Sequence, residues 1–207
     1  MNILSLFDGI SCGRVALVRA NIVVDRYYAS EINKFAIKIS DKNYPDIIRF
    51  GDIVNWQAWD INWSEIDLIL AGSPCQGFSF SGKQLTFDDP RSRLFFVFVD
   101  ILNHIRSVNP KVKFLLENVR MKKEYQQIIS NSVNVEAMMI NSSLVSAQDR
   151  KRLYWFNWTA LQPEDKYILL KDIILPVFSE EYLCSPGWHH WLGTKTISTT
   201  KEILSNR

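Results

Sequence analysis

Ile66-Asp-Leu-Ile-Leu-Ala-Gly-Ser-Pro-Cys-Gln-Gly77 passes from a short apolar run into a turn of glycine, serine and proline that carries a cysteine. The run Ile66-Asp-Leu-Ile-Leu70 has the length and character of a buried strand. A residue just past the carboxyl end of such a strand stands where open α/β sheets bind their ligands. Pro74 sets its own φ and keeps Ser73 extended, so the backbone presenting Cys75 is stiffened from one side. Taken alone, a free cysteine reads as a small buried hydrophobe. The rest of the chain decides between that and a reactive thiol.

Outward from this strand, strand-like and helix-like segments alternate, which predicts parallel βαβ units and an α/β sheet. Asn2–Leu6 is the first expected strand, followed by a short helix over Cys12–Ala20. Ile22–Ala29 is the second strand, ending at Ser30-Glu31, with a helix over Lys34–Ser40 behind it. Ile47–Phe50 is the third strand and leads into Gly51-Asp52. A long helix is expected from Arg93 to Arg106, between Pro90 and Pro110. Val112–Leu116 is the fifth strand, with Glu117-Asn-Val119 at its end. A helix near Lys123–Ile129 then leads to a strand pair, Val133–Ile140 and Lys151–Asn157. Beyond Asn157 the pattern weakens: Tyr167–Leu175 reads as a short helix or a strand, and Thr194–Arg207 is polar.

Bulk properties bound the answer. The 207 residues are enough for one full core, and 47% apolar with 22% charged is an ordinary globular composition. A net charge of +2 permits a nucleic-acid partner without arguing for one, since binding then depends on a local cluster. Cys12, Cys75 and Cys184 are odd in number, widely spaced and form no C-x-x-C pair, so neither a disulfide framework nor a metal site is expected. Cys12 and Cys184 read as structural. His189 and His190 are adjacent, point apart in a strand and have no companion ligands. Leu94-Phe-Phe-Val-Phe-Val99 is too short to span a bilayer, and a strand begins almost at Met1, so no membrane or secretory segment is expected. The expected location is the cytoplasm, or the nucleus or host cytoplasm for a eukaryotic or viral chain.

Several unusual residues fall at the carboxyl ends of successive expected strands, which a parallel sheet brings along one edge. Phe7-Asp-Gly-Ile-Ser-Cys-Gly13 is a glycine-bearing strand-to-helix turn in which Gly9 and Gly13 admit close approach of a ligand. Glu31 has the placement either of an acid that grips ribose hydroxyls or of a helix-capping glutamate. Asp52 either belongs to a plain turn or accepts from an adenine amino group. Trp56, Trp59 and Trp63 read as packing residues rather than a stacking platform, though residues 56 to 59 also have the position to line an adenine site.

Together these motifs resemble the cytosine-C5 DNA methyltransferases, which use S-adenosylmethionine. The resemblance runs from Ile3 to about Phe156 and keeps the family's motif order. Phe7-Asp-Gly-x-x-x-Gly13 is similar to the cofactor loop, Ser73-Pro-Cys-Gln76 to the nucleophile motif, Glu117-Asn-Val119 to the acidic motif that holds the base, and Gln148-Asp-Arg-Lys-Arg152 to the Gln-x-Arg-x-Arg motif. Val24-Asp-Arg-Tyr-Tyr-Ala-Ser-Glu31 and Arg93-Leu-Phe-Phe96 resemble the animal de novo enzymes and viral or bacterial relatives. The resemblance implies a Rossmann-like methyltransferase fold: a mostly parallel central sheet, helices on both faces, and an antiparallel last strand. It implies a catalytic, cofactor-binding domain over residues 1–158, with 159–207 a short tail or the remnant of a target-recognition region.

The implied catalytic residues are Cys75, Glu117, Arg150 and Arg152. Phe7, Asp8, Gly9, Gly13, Glu31, Ile32, Asp52, Ile53, Pro74 and Leu94 are the implied cofactor contacts. Gln76, Ser79, Ser81, Asn118 and Gln148 are the implied substrate contacts. Cytosine carbon 5 is a poor nucleophile, and addition of a Cys75 thiolate at carbon 6 loads electron density onto it. Glu117 is the candidate proton donor to ring nitrogen 3, and Arg150 or Arg152 balances the charge that builds up. The target base must leave the duplex, and Gln76, Ser79 and Ser81 have the position to fill the space. Lys83, Arg91 and Arg93 are either phosphate contacts or a solvated loop.

The family pattern closes with a segment that packs beside the first strand and completes the cofactor pocket, and no match to it stands after Asn157. An open-sided pocket is therefore expected, with a second subunit, a truncated chain or a reduced enzyme as its reasons. The expected partner is DNA, as in restriction-modification, and the open pocket adds a second subunit or a homo-oligomer as the further candidate partner. Two alternatives stand beside this reading: a tRNA substrate, as in one family branch, and a non-catalytic accessory protein.

Overall fold

The computed structural model describes residues 1–74 and 90–173, with side chains from 93 onward in the second stretch. The elements are β1 (Asn2–Leu6), α1 (Cys12–Arg19), β2 (Arg26–Ser30), α2 (Lys34–Asn43), β3 (Ile48–Arg49), β4 (Leu68–Ala71), α3 (Pro90–Val108), β5 (Lys113–Val119), α4 (Lys123–Val133), β6 (Met138–Asn141) and β7 (Lys151–Phe156). Seven strands pair in the order β3-β2-β1-β4-β5-β7-β6. β1 to β5 run parallel, and β7 is antiparallel to both its neighbours. The α/β fold with a mostly parallel sheet and an antiparallel last strand is therefore as expected. The chain builds outward from β1 to β3, then returns to place β4 on the other side of β1. That reversal opens a crevice at the strand ends, where such sheets take their ligands.

Alternation along the strands sorts the core into two faces. Leu4, Leu6, Ile69, Ala71, Phe114, Leu116 and Trp155 pack with α3 and α4. On α3, Phe95, Phe98, Ile101, Leu102 and Ile105 recur at helical spacing and are fully buried; each contributes about 1.5–3 kcal/mol by leaving water. On the other face Ile3, Tyr27, Ala29 and Leu68 meet Leu17 of α1. Gly13 is what allows that approach, since a Cβ there would lie 2.6 Å from Leu70 Cδ1 and 3.0 Å from the Tyr27 hydroxyl. Trp59 is buried and stacks between Phe50 and Trp63, at 4.9 and 6.2 Å between ring centres, so the tryptophans pack.

Three expectations need correction. β2 begins at Arg26 rather than Ile22, because Asn21 turns left-handed after α1 and Asn21 and Ile22 cap that helix through their amides. The first strand of the pair begins at Met138 rather than Val133. Val133 ends α4, Asn134 takes a left-handed C-cap, and the Val135 amide bonds back to Ser130. The alternation Val133, Val135, Ala137 imitates a strand that the cap forbids. Cys12, expected to be structural, is exposed.

Met1–Ile168 is one compact unit, and a second begins at Leu169. In the described part of the second, Leu170–Ile173 is a single helical turn. Among the described residues no helix is long and apolar enough to cross a membrane.

Candidate active site

The turn after β1 is built around one carboxylate. Asp8 is nearly buried, accepts from the Tyr27 hydroxyl at 2.9 Å and from the Ser11 hydroxyl, and its amide bonds Ser30 of β2. Phe7, Gly9 and Ser11 all have φ near +60°. Two of these three are not glycine, so the hydrogen bonds hold a backbone that side chains disfavour. The Gly9 amide is drawn across to Glu31 Oε2 at 2.7 Å, while Glu31 Oε1 accepts from the Ile32 and Asn33 amides at 2.8 Å each. Glu31 thus caps its own turn and ties β2 to the β1 turn in one act. Asp52 caps likewise, accepting from the Val54 amide at 3.1 Å. Ile53 is buried, Ile32 is exposed, and Leu94 packs half-buried on the core.

Two cavities open at the carboxyl edge, and the larger extends down the sheet face to Leu68 at the start of β4 and Ala20 at the end of α1. The larger, about 650 Å³, is walled by Phe7, Asp8, Cys12, Gly13, Gly72, Glu117 and Arg150 at its polar end. Its apolar end is Ala16, Leu17, Ala20, Ile22, Leu68, Leu70, Leu115, Tyr154 and Trp158. The smaller, about 270 Å³, is lined by Gly72, Ser73, Pro74, Glu117, Asn118, Val119, Arg150 and Arg152. Gly72, Glu117 and Arg150 belong to both, so the cavities meet at the Glu117 carboxylate.

β5 and β7 position the acid. Glu117 faces Tyr154 and Val119 faces Arg152 in the antiparallel register. From its diagonal place Arg152 Nε meets Glu117 Oε1 at 2.9 Å, with Nη1 donating to the Lys151 carbonyl. Glu117 Oε2 is left toward Gly72, where a Cβ would come within 3.7 Å of it. Asn118 points to the opposite face, 1% exposed, and its amide donates to the Ser73 carbonyl at 3.3 Å and hydroxyl at 3.0 Å. It therefore pins the turn that leads to Cys75.

The structure brings Phe7, Asp8, Gly13, Pro74, Glu117, Asn118, Arg150 and Arg152 to these adjoining cavities. Neither cavity is lined by Gly9, Glu31, Ile32, Asp52 or Ile53, by Leu94 of α3, or by Gln148, which is exposed before β7. Cys75, Gln76, Ser79, Ser81, Lys83, Cys184, His189, His190 and the Arg91 side chain lie outside the described residues. Sequence reasoning missed Tyr154. Burial, then the Glu117 charge, push its phenol above the ordinary value, against Arg152 and Arg150. Alternation within Lys151–Phe156 puts Arg152 and Tyr154 on one face, but only the register with β5 identifies that face as Glu117's.

The larger cavity fits a nucleoside-bearing cofactor in size and in the close helix approach that Gly13 allows, while the Glu31 carboxylate, held by three amides at the end of β2, stands outside its lining.

A model of the C-5 cytosine-specific DNA methylase family matches residues 1–158. Type II methyltransferase M.NgoBV of Neisseria gonorrhoeae is 34% identical over 173 residues, covering 73% of this chain and 40% of the relative. Type II methyltransferase M.HhaI of Haemophilus parahaemolyticus is 29% identical over 203 residues, covering 88% and 59%. The chain thus spans between two fifths and three fifths of these relatives' length. Among solved structures, the S. pombe Dnmt2 methyltransferase superposes with a TM-score of 0.60 at 17% identity, over 92% of this chain and 64% of that one, a likeness of fold.

Proposed function

Since the chain belongs to the C-5 cytosine-specific DNA methylase family, we propose that it transfers a methyl group from S-adenosylmethionine to carbon 5 of a cytosine in DNA. The observation that carries this reading is the meeting of two cavities at Glu117. Group transfer needs donor and acceptor in contact, and adjoining chambers with a shared acidic wall supply that. The base enters the smaller chamber after leaving the duplex, at a cost of about a few kcal/mol.

S-Adenosylmethionine, when bound, supplies a methyl group activated by a positively charged sulfur. Glu31 would hold the ribose hydroxyls, Asp52 the adenine amino group, and Phe7, Ile32, Ile53 and Leu94 the adenine ring. Gly9, Gly13, Asp8 and Pro74 shape the rest of the cofactor site. The Cys75 thiolate adds to carbon 6 and breaks the ring's aromaticity, which makes carbon 5 nucleophilic. Glu117 gives a proton to ring nitrogen 3, and Arg152, already on Glu117 Oε1, orients that acid beside Arg150. After methylation water takes the carbon-5 proton, Cys75 departs as its thiolate, and ring nitrogen 3 returns its proton to Glu117, which restores the aromatic ring. Asn118 and Gln148 support the base pocket, and Gln76, Ser79 and Ser81 fill the space left in the duplex.

Residues 1–158 are the catalytic domain in this reading, and 159–207 are a short tail or the remnant of a target-recognition region. The apolar end of the larger cavity suits closure by a second subunit or a second copy. The test is methyl transfer from labelled cofactor to unmethylated duplex DNA and, in parallel, to tRNA. The expected result is 5-methylcytosine in DNA that disappears in Cys75→Ala. Transfer that survives Cys75→Ala, or that occurs only on tRNA, overturns the assignment.

A further inference from the structure

Arg150 and Arg152 line the smaller cavity, and further cations neighbour its lining residues along the chain. Arg120, Lys122 and Lys123 follow Glu117 at the end of β5, and Arg150, Lys151 and Arg152 open β7. Because Val119 pairs with Arg152 in antiparallel register, these two distant stretches form one edge. Residues 117–124 and 149–152 hold six cations against three carboxylates, Glu117, Glu124 and Asp149. That local excess is larger than the +2 of the entire chain, so positive charge is concentrated here.

Glu117 pairs with one of the six, Arg152, at 2.9 Å, and Asp149 accepts from the Asn141 amide at 2.8 Å. Lys123 and Lys151 are exposed and Lys122 is half-buried, and none of the three side chains has an ion pair or hydrogen bond among the described residues. Cations crowded this way repel one another, and the arrangement becomes favourable when a polyanion lies along it. The nearby cavity, lined by Val119, Arg150 and Arg152, suggests what that polyanion is, because a base inside it carries its own phosphates past the neighbouring residues.

We propose that Lys122, Lys123 and Lys151 grip the phosphodiester backbone of the strand whose base enters the Glu117 pocket. This rests on the methyl-transfer reading for the pocket's occupant, and it adds residues that set affinity rather than chemistry. Such contacts position the strand without reading its sequence.

The test measures binding of the full chain to a duplex and to a tRNA transcript across a salt series. Lys122→Ala/Lys123→Ala/Lys151→Ala is compared with Lys38→Ala/Lys42→Ala/Lys111→Ala, which removes equal charge from exposed sites on α2 and before β5. Each lost phosphate contact lowers the slope of log K against log salt by about 0.9 on duplex and about 0.7 on single strands. The first variant should lose roughly 2.7 from the duplex slope and bind about a hundredfold more weakly at 0.1 M salt, and the control should lose little. Equal losses in both variants, an unchanged slope in the first variant, or no binding by the unaltered chain overturns the proposal. Glu117→Gln separates the two readings. A normal slope with methyl transfer abolished supports both, whereas a slope that depends on these lysines in a chain that methylates nothing keeps the lysine contacts and removes the reaction.

Discussion

Replacing Asn118 with alanine cuts the tie between β5 and the turn that leads to Cys75. The Asn118 amide makes two bonds to Ser73, at 3.0 and 3.3 Å, and both residues are buried. Each such bond contributes about 1 kcal/mol net, and a buried carbonyl left without a donor costs about 1–3 kcal/mol. Together they predict a loss of about 2–4 kcal/mol. For a unit of this size that lowers Tm by about 5–15 °C. The Ser73-Pro74 turn is then free to shift, and a displacement near 1 Å at reacting groups costs up to about a hundredfold in rate. Urea unfolding followed by tryptophan fluorescence measures the first quantity, and methyl transfer well below the transition measures the second. Asn118→Asp sharpens the test: it keeps the size but sets a carboxylate against the Ser73 carbonyl, so it should be worse than alanine. A stability loss under about 0.5 kcal/mol with an unchanged rate would refute the reasoning.

Ser130→Ala should cost about 1–3 kcal/mol in urea unfolding, because the fully buried Trp155 indole N–H donates to the Ser130 hydroxyl at 3.0 Å and finds no other acceptor among the described residues; an unchanged midpoint would show that the bond contributes nothing. Tyr27 and Tyr154 both keep their protons above the ordinary phenol value near 10, first because they are buried and then because Asp8 and Glu117 stand beside them. With folded values raised, their contribution to stability is full below pH 10 and declines as pH rises past it. Absorbance at 295 nm should therefore show late-titrating tyrosines that ionise together with unfolding; normal titration in the folded state would contradict this. Glu31→Gln removes one of the two oxygens that together accept three amides, so cofactor affinity by calorimetry should fall about tenfold or more, and an unchanged affinity would exclude Glu31 from the site.

Local chemistry made most elements legible. Asn2–Leu6 was readable as β1 because it is short, apolar and followed by a glycine turn. The apolar spacing of α3 was readable because helical periodicity repeats often enough to be unambiguous. Val133 to Ala137 misled because a left-handed Asn134 breaks a pattern that alternation alone continues. The 3-10 turns at Ile53–Ala58 and Trp63–Glu65 carry no periodic signal, so nothing marked them.

By itself the sequence determined the alternation of strands and helices, and that Phe7, Glu31, Asp52, Pro74 and Glu117 stand at or near strand ends. Composition, period and turn residues act between neighbours along the chain, and they suffice for that. Only tertiary structure decided that Glu117 faces Tyr154 and takes Arg152, that Asn118 turns away to hold Ser73, and that two cavities meet at one carboxylate. Strand order and register set those relations, and a shift of one residue reverses every side chain. Such pairings join residues tens of positions apart, so no local pattern encodes them.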